Sequence, residues 1–278
     1  MLAIVLSLAA AIAYGVGDFW GGLSSRRTHM VRVLPVILFT GTITIVALVP
    51  FLGATFAPEA MTSGALAGVF GTAGFFLVYY ALALGPMGVA SAIIAVLAAA
   101  IPYIFGLVRG DVITPLGVIG AAIAFVSILL VCKTTEDATH PVTQKTVIVS
   151  IFGGFAVSGF FLSLALAPES SGLAPILVTR CIQLSVFVVL FVLLRNRVAK
   201  GQPDLGMATG SGVFDALAAA AFIFATHTGQ LAIVAVITNL YPAVTVLFAH
   251  YVIHERLERH QIFGLIGACL SVGLLTLA

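Results

Sequence analysis

VASAIIAVLAAAIPYIF, running from Val89 to Phe105, contains no charged residue and carries apolar side chains, many of them alanine, on every face. A strand of a membrane barrel would alternate apolar and polar residues over about ten positions. A helix at a protein surface in water would keep a polar stripe. This stretch does neither, so it reads as a helix surrounded by lipid and by other helices.

The same reading extends along the chain. A helix needs about 20 mostly apolar residues to cross a hydrocarbon core roughly 30 Å thick, at about 1.5 Å per residue. Windows of that size place ten spans, at roughly 2–22, 33–52, 63–83, 88–108, 113–132, 147–167, 172–194, 207–227, 232–253 and 261–278. Polar breaks separate them, among them Ser24-Ser25-Arg26-Arg27, Arg195-Asn196-Arg197 and His254-Glu255-Arg256-Leu257-Glu258-Arg259, with tighter breaks at Gly85-Pro86 and Gly229-Gln230. The composition agrees: 61% of the 278 residues are apolar, 8% are charged and the mean hydropathy is +1.21. A soluble domain carries about 25% charged residues. The expected fold is therefore all-α, a polytopic membrane protein of ten transmembrane helices.

Several function classes lose their platform. The longest connection, about 133–146, is too short for a soluble domain, which leaves nowhere for nucleic-acid binding or cytosolic enzymology. There is no Walker Gly-x4-Gly-Lys-Ser/Thr motif and no HExxH. Cys132, Cys181 and Cys269 have neither CxxC nor Cys/His metal spacing and read as small packing residues. No cofactor or metal is expected. The first apolar run lacks a basic leader and continues through Trp20, so it reads as a retained span.

The chain repeats itself. A shift of 144 residues lays Ala81, Ile93, Ala99, Gly120 and Ala124 on Ala225, Ile237, Ala243, Gly264 and Ala268, and Asp111 on Glu255. A slightly different shift lays Pro35–Thr40 on Pro175–Arg180. The expected division is a first five-helix repeat at 1–132, a connecting loop at 133–146 and a second repeat at 147–278. Five crossings end on the opposite side, so the repeats must be inverted, and inverted repeats place a binding site near the midplane.

Ten helices as five plus five resemble the drug/metabolite transporter superfamily, specifically its EamA-type permeases. Further resemblance lies in the aromatic-Gly pair Tyr14-Gly15, the Pro-x4-Arg opening Pro175 to Arg180, and the acids after helices four and nine, Gly110-Asp111 and His254-Glu255-Arg256-Leu257. The resemblance covers nearly the whole chain and implies a superfamily rather than a substrate. Thr40 stands where the second half has Arg180, which suggests that the halves have specialised.

The loops following odd-numbered helices, on what we call side B, hold Arg26, Arg27, Arg32, Lys133, Lys145, Arg195, Arg197, Lys200, Arg256 and Arg259, ten of the twelve Lys and Arg residues. The loops of side A, the side of both termini, hold only Arg109. The positive-inside rule makes side B cytoplasmic and puts both termini outside. The family resemblance implies cytoplasmic termini instead, so the side of the termini stays open at this stage.

Asp18, Arg180 and Asp215 are the charged residues within spans. Each costs about 2.5–3.5 kcal/mol to insert and is expected to face protein or water. Arg180 and Asp215 lie about eight residues into their helices from opposite sides, roughly 12 Å deep at about 1.5 Å per residue. They are close enough to form either a locking ion pair or a charged wall of a central cavity. Asp18 is either an interfacial acid near Arg26 and Arg27 or a cavity-mouth residue. Tyr14, Tyr79, Gln183 and Asn239 complete the set of substrate-binding candidates, and Asp215 and Asp18 are the candidate proton carriers. Pro102 and Pro242 are the candidate hinges, and Gly64-x3-Gly68, Gly106-x3-Gly110 and Gly206-x3-Gly210 mark close helix packing.

The expected function is non-ATP secondary transport in the plasma (bacterial inner) membrane. Small polar or amphipathic metabolites, such as amino acids or drugs, would be exported by alternating access, with protons as a candidate coupling ion, by a monomer or homodimer. Two alternatives remain. One is a lipid-moving or scaffolding protein. The other is an intramembrane protease suggested by Gly15-Val16-Gly17-Asp18, which reads GxGD.

Overall fold

The computed structural model describes residues 1–27, 30–84, 87–133, 143–194, 196, 204–254 and 257–277. The breaks at Gly85-Pro86, Arg195, Arg197, Lys200 and Glu255-Arg256 lie outside the described residues, as do the side chains of Arg26, Arg27 and Tyr79.

The helices are α1 (Leu2–Arg27), α2 (Met30–Leu52), α3 (Pro58–Leu84), α4 (Met87–Val108), α5 (Pro115–Cys132), α6 (Gln144–Ala165), α7 (Ala174–Leu194), α8 (Leu205–Thr228), α9 (Leu231–Thr238), α10 (Tyr241–Ile253) and α11 (Arg259–Thr276). A 3-10 turn, Glu169–Ser171, precedes α7. Ten spans are long and apolar enough to cross a membrane, because α9 and α10 are two parts of one span, Leu231–Ile253. Polar residues set several helix starts. Thr114, Thr143 and Asp204 each accept a backbone N–H of the first turn, and Glu258 and Gln261 form a capping box on α11.

Packing follows side-chain size rather than polarity. The core is rich in alanine, including Ala10, Ala67, Ala98, Ala99, Ala124, Ala216, Ala218 and Ala225. Large apolar side chains point outward, such as Phe39, Ile43 and Val46 on α2, Val188 and Val192 on α7, and Phe263, Ile266 and Leu270 on α11. In water this arrangement would leave several exposed apolar faces unsupported. In lipid, small residues inside let backbones approach, and dispersion contacts replace the hydrophobic drive. Gly64 and Gly68 show this, because a Cβ on either would collide with Pro175, Val178 or Ile182 of α7. Buried hydroxyls tie helices together: Thr179 donates to Gly64 O (2.9 Å), Ser158 to Leu97 O (2.9 Å) and Ser211 to Gly17 O (2.7 Å).

The two halves of the chain interlock. α1 packs chiefly on α8 and on the α9–α10 span, α6 on α3 and α4, α2 on α7 and α8, and α5 on α11. Exchanging each span for the one five places along maps these pairings onto themselves. The α1–α8 contact becomes α6–α3, α2–α8 becomes α7–α3, and α1 with the ninth span becomes α6–α4. That is the pattern an inverted repeat of five spans would produce.

The two prolines behave differently. α4 continues as one helix through Pro102. The ninth span breaks at Asn239-Leu240, and Pro242 then sits in the first turn of α10, where its missing N–H costs nothing.

Candidate functional site

Two glycines let α1 pass between two neighbours. A Cβ at Gly15 would strike Val244 and the carbonyl of Tyr241 on α10. One at Gly17 would crowd the Ser211 carbonyl and the Asp215 N–H of α8. Gly15-Val16-Gly17 is therefore a packing motif, and it turns Asp18 away from both seams. Asp18 is exposed while Gly17 and Phe19 beside it are buried. The space it faces is a cavity of about 330 Å³ between α1, α3, α6, α7, α8 and α10.

Five of the seven sequence candidates line this cavity: Tyr14, Asp18, Arg180, Gln183 and Asp215. Arg180 Nη2 and Asp215 Oδ2 are in direct contact as an ion pair. The Arg180 side chain is 4% exposed and that of Asp215 25%, so the pair is buried from lipid while the acid keeps an opening to the cavity. Gly41 of α2 lies beside the guanidinium, where an added Cβ would make ordinary contact with Arg180 Cζ at 3.8 Å and would crowd Gly212 O of α8 at 3.1 Å. Thr40, which stands in the first half where Arg180 stands in the second, returns its hydroxyl to Val36 O (2.9 Å) and takes no part. Gly71, which the 144-residue shift lays on Asp215, lines the same cavity.

Some of the buried polar atoms without a hydrogen-bond partner lie here, and others lie at Gln230, Thr238, Asn239 and Ser271. Tyr14 Oη, Arg180 Nε and Gln183 Oε1 all lack one, and their residues are 7%, 3% and 2% exposed. Orphaned groups of this kind are costly unless a ligand or water meets them. Aromatic rings share the lining with them. The Tyr14 ring lies 5.9 Å edge-on from Phe161 and 6.1 Å from Tyr241, and Phe75 and Phe160 continue the lining.

The cavity runs one way. From Tyr14, Tyr241 and Arg180 at mid-depth it extends past Asp18 to Gly22 and Val78, near the side B ends of α1 and α3. Toward side A it meets packed core, including Ala10, Leu164, Ala218, Phe222 and Ile223, with Phe161 and Phe222 in ring contact at 4.9 Å. Beyond that core, Thr55 N donates to Ser171 O (3.0 Å) and Leu173 N to Gly53 O (2.9 Å), bridging two side A loops.

Asn239, expected to face either other helices or the cavity, packs among helices. It is fully buried but does not line the cavity. Its Nδ2 donates to Ala98 O of α4 (3.3 Å) and Ala235 O (2.9 Å), holding the end of α9 at the break. Tyr79 cannot be placed in the site, since its side chain lies outside the described residues. Asp111 has a local role as well: Oδ2 accepts from Ala232 N (2.9 Å) at the start of α9. Cys181 and Cys269 are exposed on their helices rather than packed. The sequence reading did not select Tyr241, Phe160 or Phe161. The adjacent aromatics Phe160 and Phe161 and the tyrosine within the ninth span, Tyr241, were the available signals.

Comparison with known proteins bears on the family and the fold. Residues 144–277 match the sequence model of the EamA-like transporter family. None of the curated proteins compared with the chain matches it. A solved structure described as "Crystal structure of protein" has a TM-score of 0.74 at 14% sequence identity, covering 97% of this chain and 98% of that one, a likeness of fold alone.

Proposed function

We propose, for a chain that belongs through residues 144–277 to the EamA-like transporter family of the drug/metabolite transporter superfamily, that it moves small amphipathic metabolites across the membrane by alternating access, driven by a gradient rather than by nucleotide hydrolysis. The observation that carries this reading is the cavity. It lies at mid-depth where the two halves meet, and its lining combines an ion pair, a free carboxylate and orphaned polar atoms with aromatic rings. Such a site suits a solute with a polar end and an apolar body.

In this reading residues 1–132 and 147–278 are inverted repeats joined by 133–146, and they rock about the cavity. The matched helix pairings support that relation. The cavity extends toward the arginine- and lysine-rich side, which the positive-inside rule makes cytoplasmic. The state described is then inward-open, able to load a solute for export across a bacterial inner membrane. Asp18 and Asp215 are the carboxylates placed to exchange a proton with that solute.

Growth of an overexpressing strain against toxic amino acids, nucleosides and amines tests the reading. We expect resistance to at least one class, abolished by Arg180→Met. Sensitivity in place of resistance would reverse the direction, and unchanged growth and flux across the panel would contradict transport.

A further inference from the structure

We propose that the cargo is an organic monocation, a protonated amine on an aromatic or branched apolar body, with its ammonium held by Asp18. This assignment rests on the transporter reading and narrows it. Within the cavity Arg180 and Asp215 neutralise each other by direct contact. Asp18 has no hydrogen bond or ion pair among the described residues, and Arg180 is the one cationic side chain among the described lining residues. With Asp18 ionised, the described lining carries one negative charge that no described cation offsets, at a depth where such charge is expensive.

The alternatives leave the imbalance in place. An anion would meet two carboxylates, and the one guanidinium of the described lining is engaged by Asp215 through Nη2, leaving Nε as its unpartnered donor. A zwitterion adds no net charge. A monocation closes the balance, and the rest of the lining suits one. Tyr14, Phe160, Phe161 and Tyr241 give the lining an aromatic character that suits a cation and its apolar body. The unpartnered Gln183 Oε1, in a residue 2% exposed, is an acceptor for an ammonium N–H. The cavity of about 330 Å³ falls at the small end of ligand pockets, which run from about 300 Å³, room for a small arylalkylamine.

The test uses the full chain in proteoliposomes and in detergent, with three probes of one shape: 2-phenylethylammonium, 3-phenylpropionate and 2-phenylethanol. Binding and uptake are measured for each, with thermal unfolding as the folding control. We expect saturable binding and uptake of the ammonium alone. Asp18→Asn should weaken its binding at least tenfold at an unchanged melting temperature, and Asp18→Glu should retain most of it. Saturable uptake of the carboxylate or alcohol in preference to the amine would overturn the cation assignment and leave the transporter reading standing. Binding of the amine through Asp18 without uptake would uphold the assignment and contradict transport. Amine binding unaffected by Asp18→Asn in folded protein, or no binding of the amine at all, would also overturn the assignment.

Discussion

Arg180 and Asp215 neutralise each other where neither could remain alone. Removing one leaves the other charged in a nearly dry setting, which in buried pairs costs about 3–5 kcal/mol. Because a quarter of the Asp215 side chain stays exposed, at 25%, the lower end of that range applies. Arg180→Met should lower the melting temperature of the purified protein, and Arg180→Met combined with Asp215→Leu should recover most of the loss while transport stays absent. Gly22 gives the complementary case. Nothing lies within 4 Å of its ideal Cβ, yet it lines the cavity. Gly22→Phe should fold normally and block uptake, whereas Gly15→Leu, where Val244 and the Tyr241 carbonyl already crowd the backbone, should fail to fold. Expression and size-exclusion profiles distinguish these outcomes. Arg180, Asp215 and Asp18 were legible in the sequence because a charge in an apolar run needs a reason. Asn239 was legible as buried but not as structural, since an amide in mid-span serves a cavity or a helix break equally well, and only its bond to Ala98 O decides.

Among the elements, the ninth span is the unusual one. It breaks at Asn239-Leu240, with Asn239 fastened to α4 and the start of α9 capped by Asp111. Just past the break, Tyr241 opens α10 and lines the cavity. Asp111→Ala should cost about 1 kcal/mol, typical of a lost cap, and hydrogen exchange should accelerate at Leu231 and Ala232 while α1 and α8 are unchanged. Unaltered exchange there would show that the cap contributes nothing. The existence of the ten spans could be read directly, because each is an apolar run longer than soluble helices need. The break could not. Pro242 pointed to the right span, but its position in the first turn of α10 follows from packing that the sequence does not display. Pro102, with the same local chemistry, leaves α4 continuous.

At the scale of the whole molecule, the halves interlock so that every span of one packs against a span of the other. Internal similarity at a shift of 144 residues suggested two repeats, but hydropathy alone could not reveal which helices touch. The interlocking makes the cavity a shared feature. Its side B end is open at Gly22, and its side A end is closed by a core that includes Ala218. Ala218 is the position laid on Gly74, a cavity-lining residue, by the 144-residue shift, so exchanging the roles of the two halves should bring it to the opposite opening. The decisive measurement is labelling of single cysteines at Gly22 and Ala218, in protein with Cys132, Cys181 and Cys269 replaced, by a membrane-impermeant maleimide applied from each side. Alternating access predicts that Gly22→Cys reacts from the basic side at rest and that Ala218→Cys, protected at rest, reacts from the other side during turnover. Reaction of both positions from the same side, or continued flux with Ala218→Cys protected throughout, would contradict it.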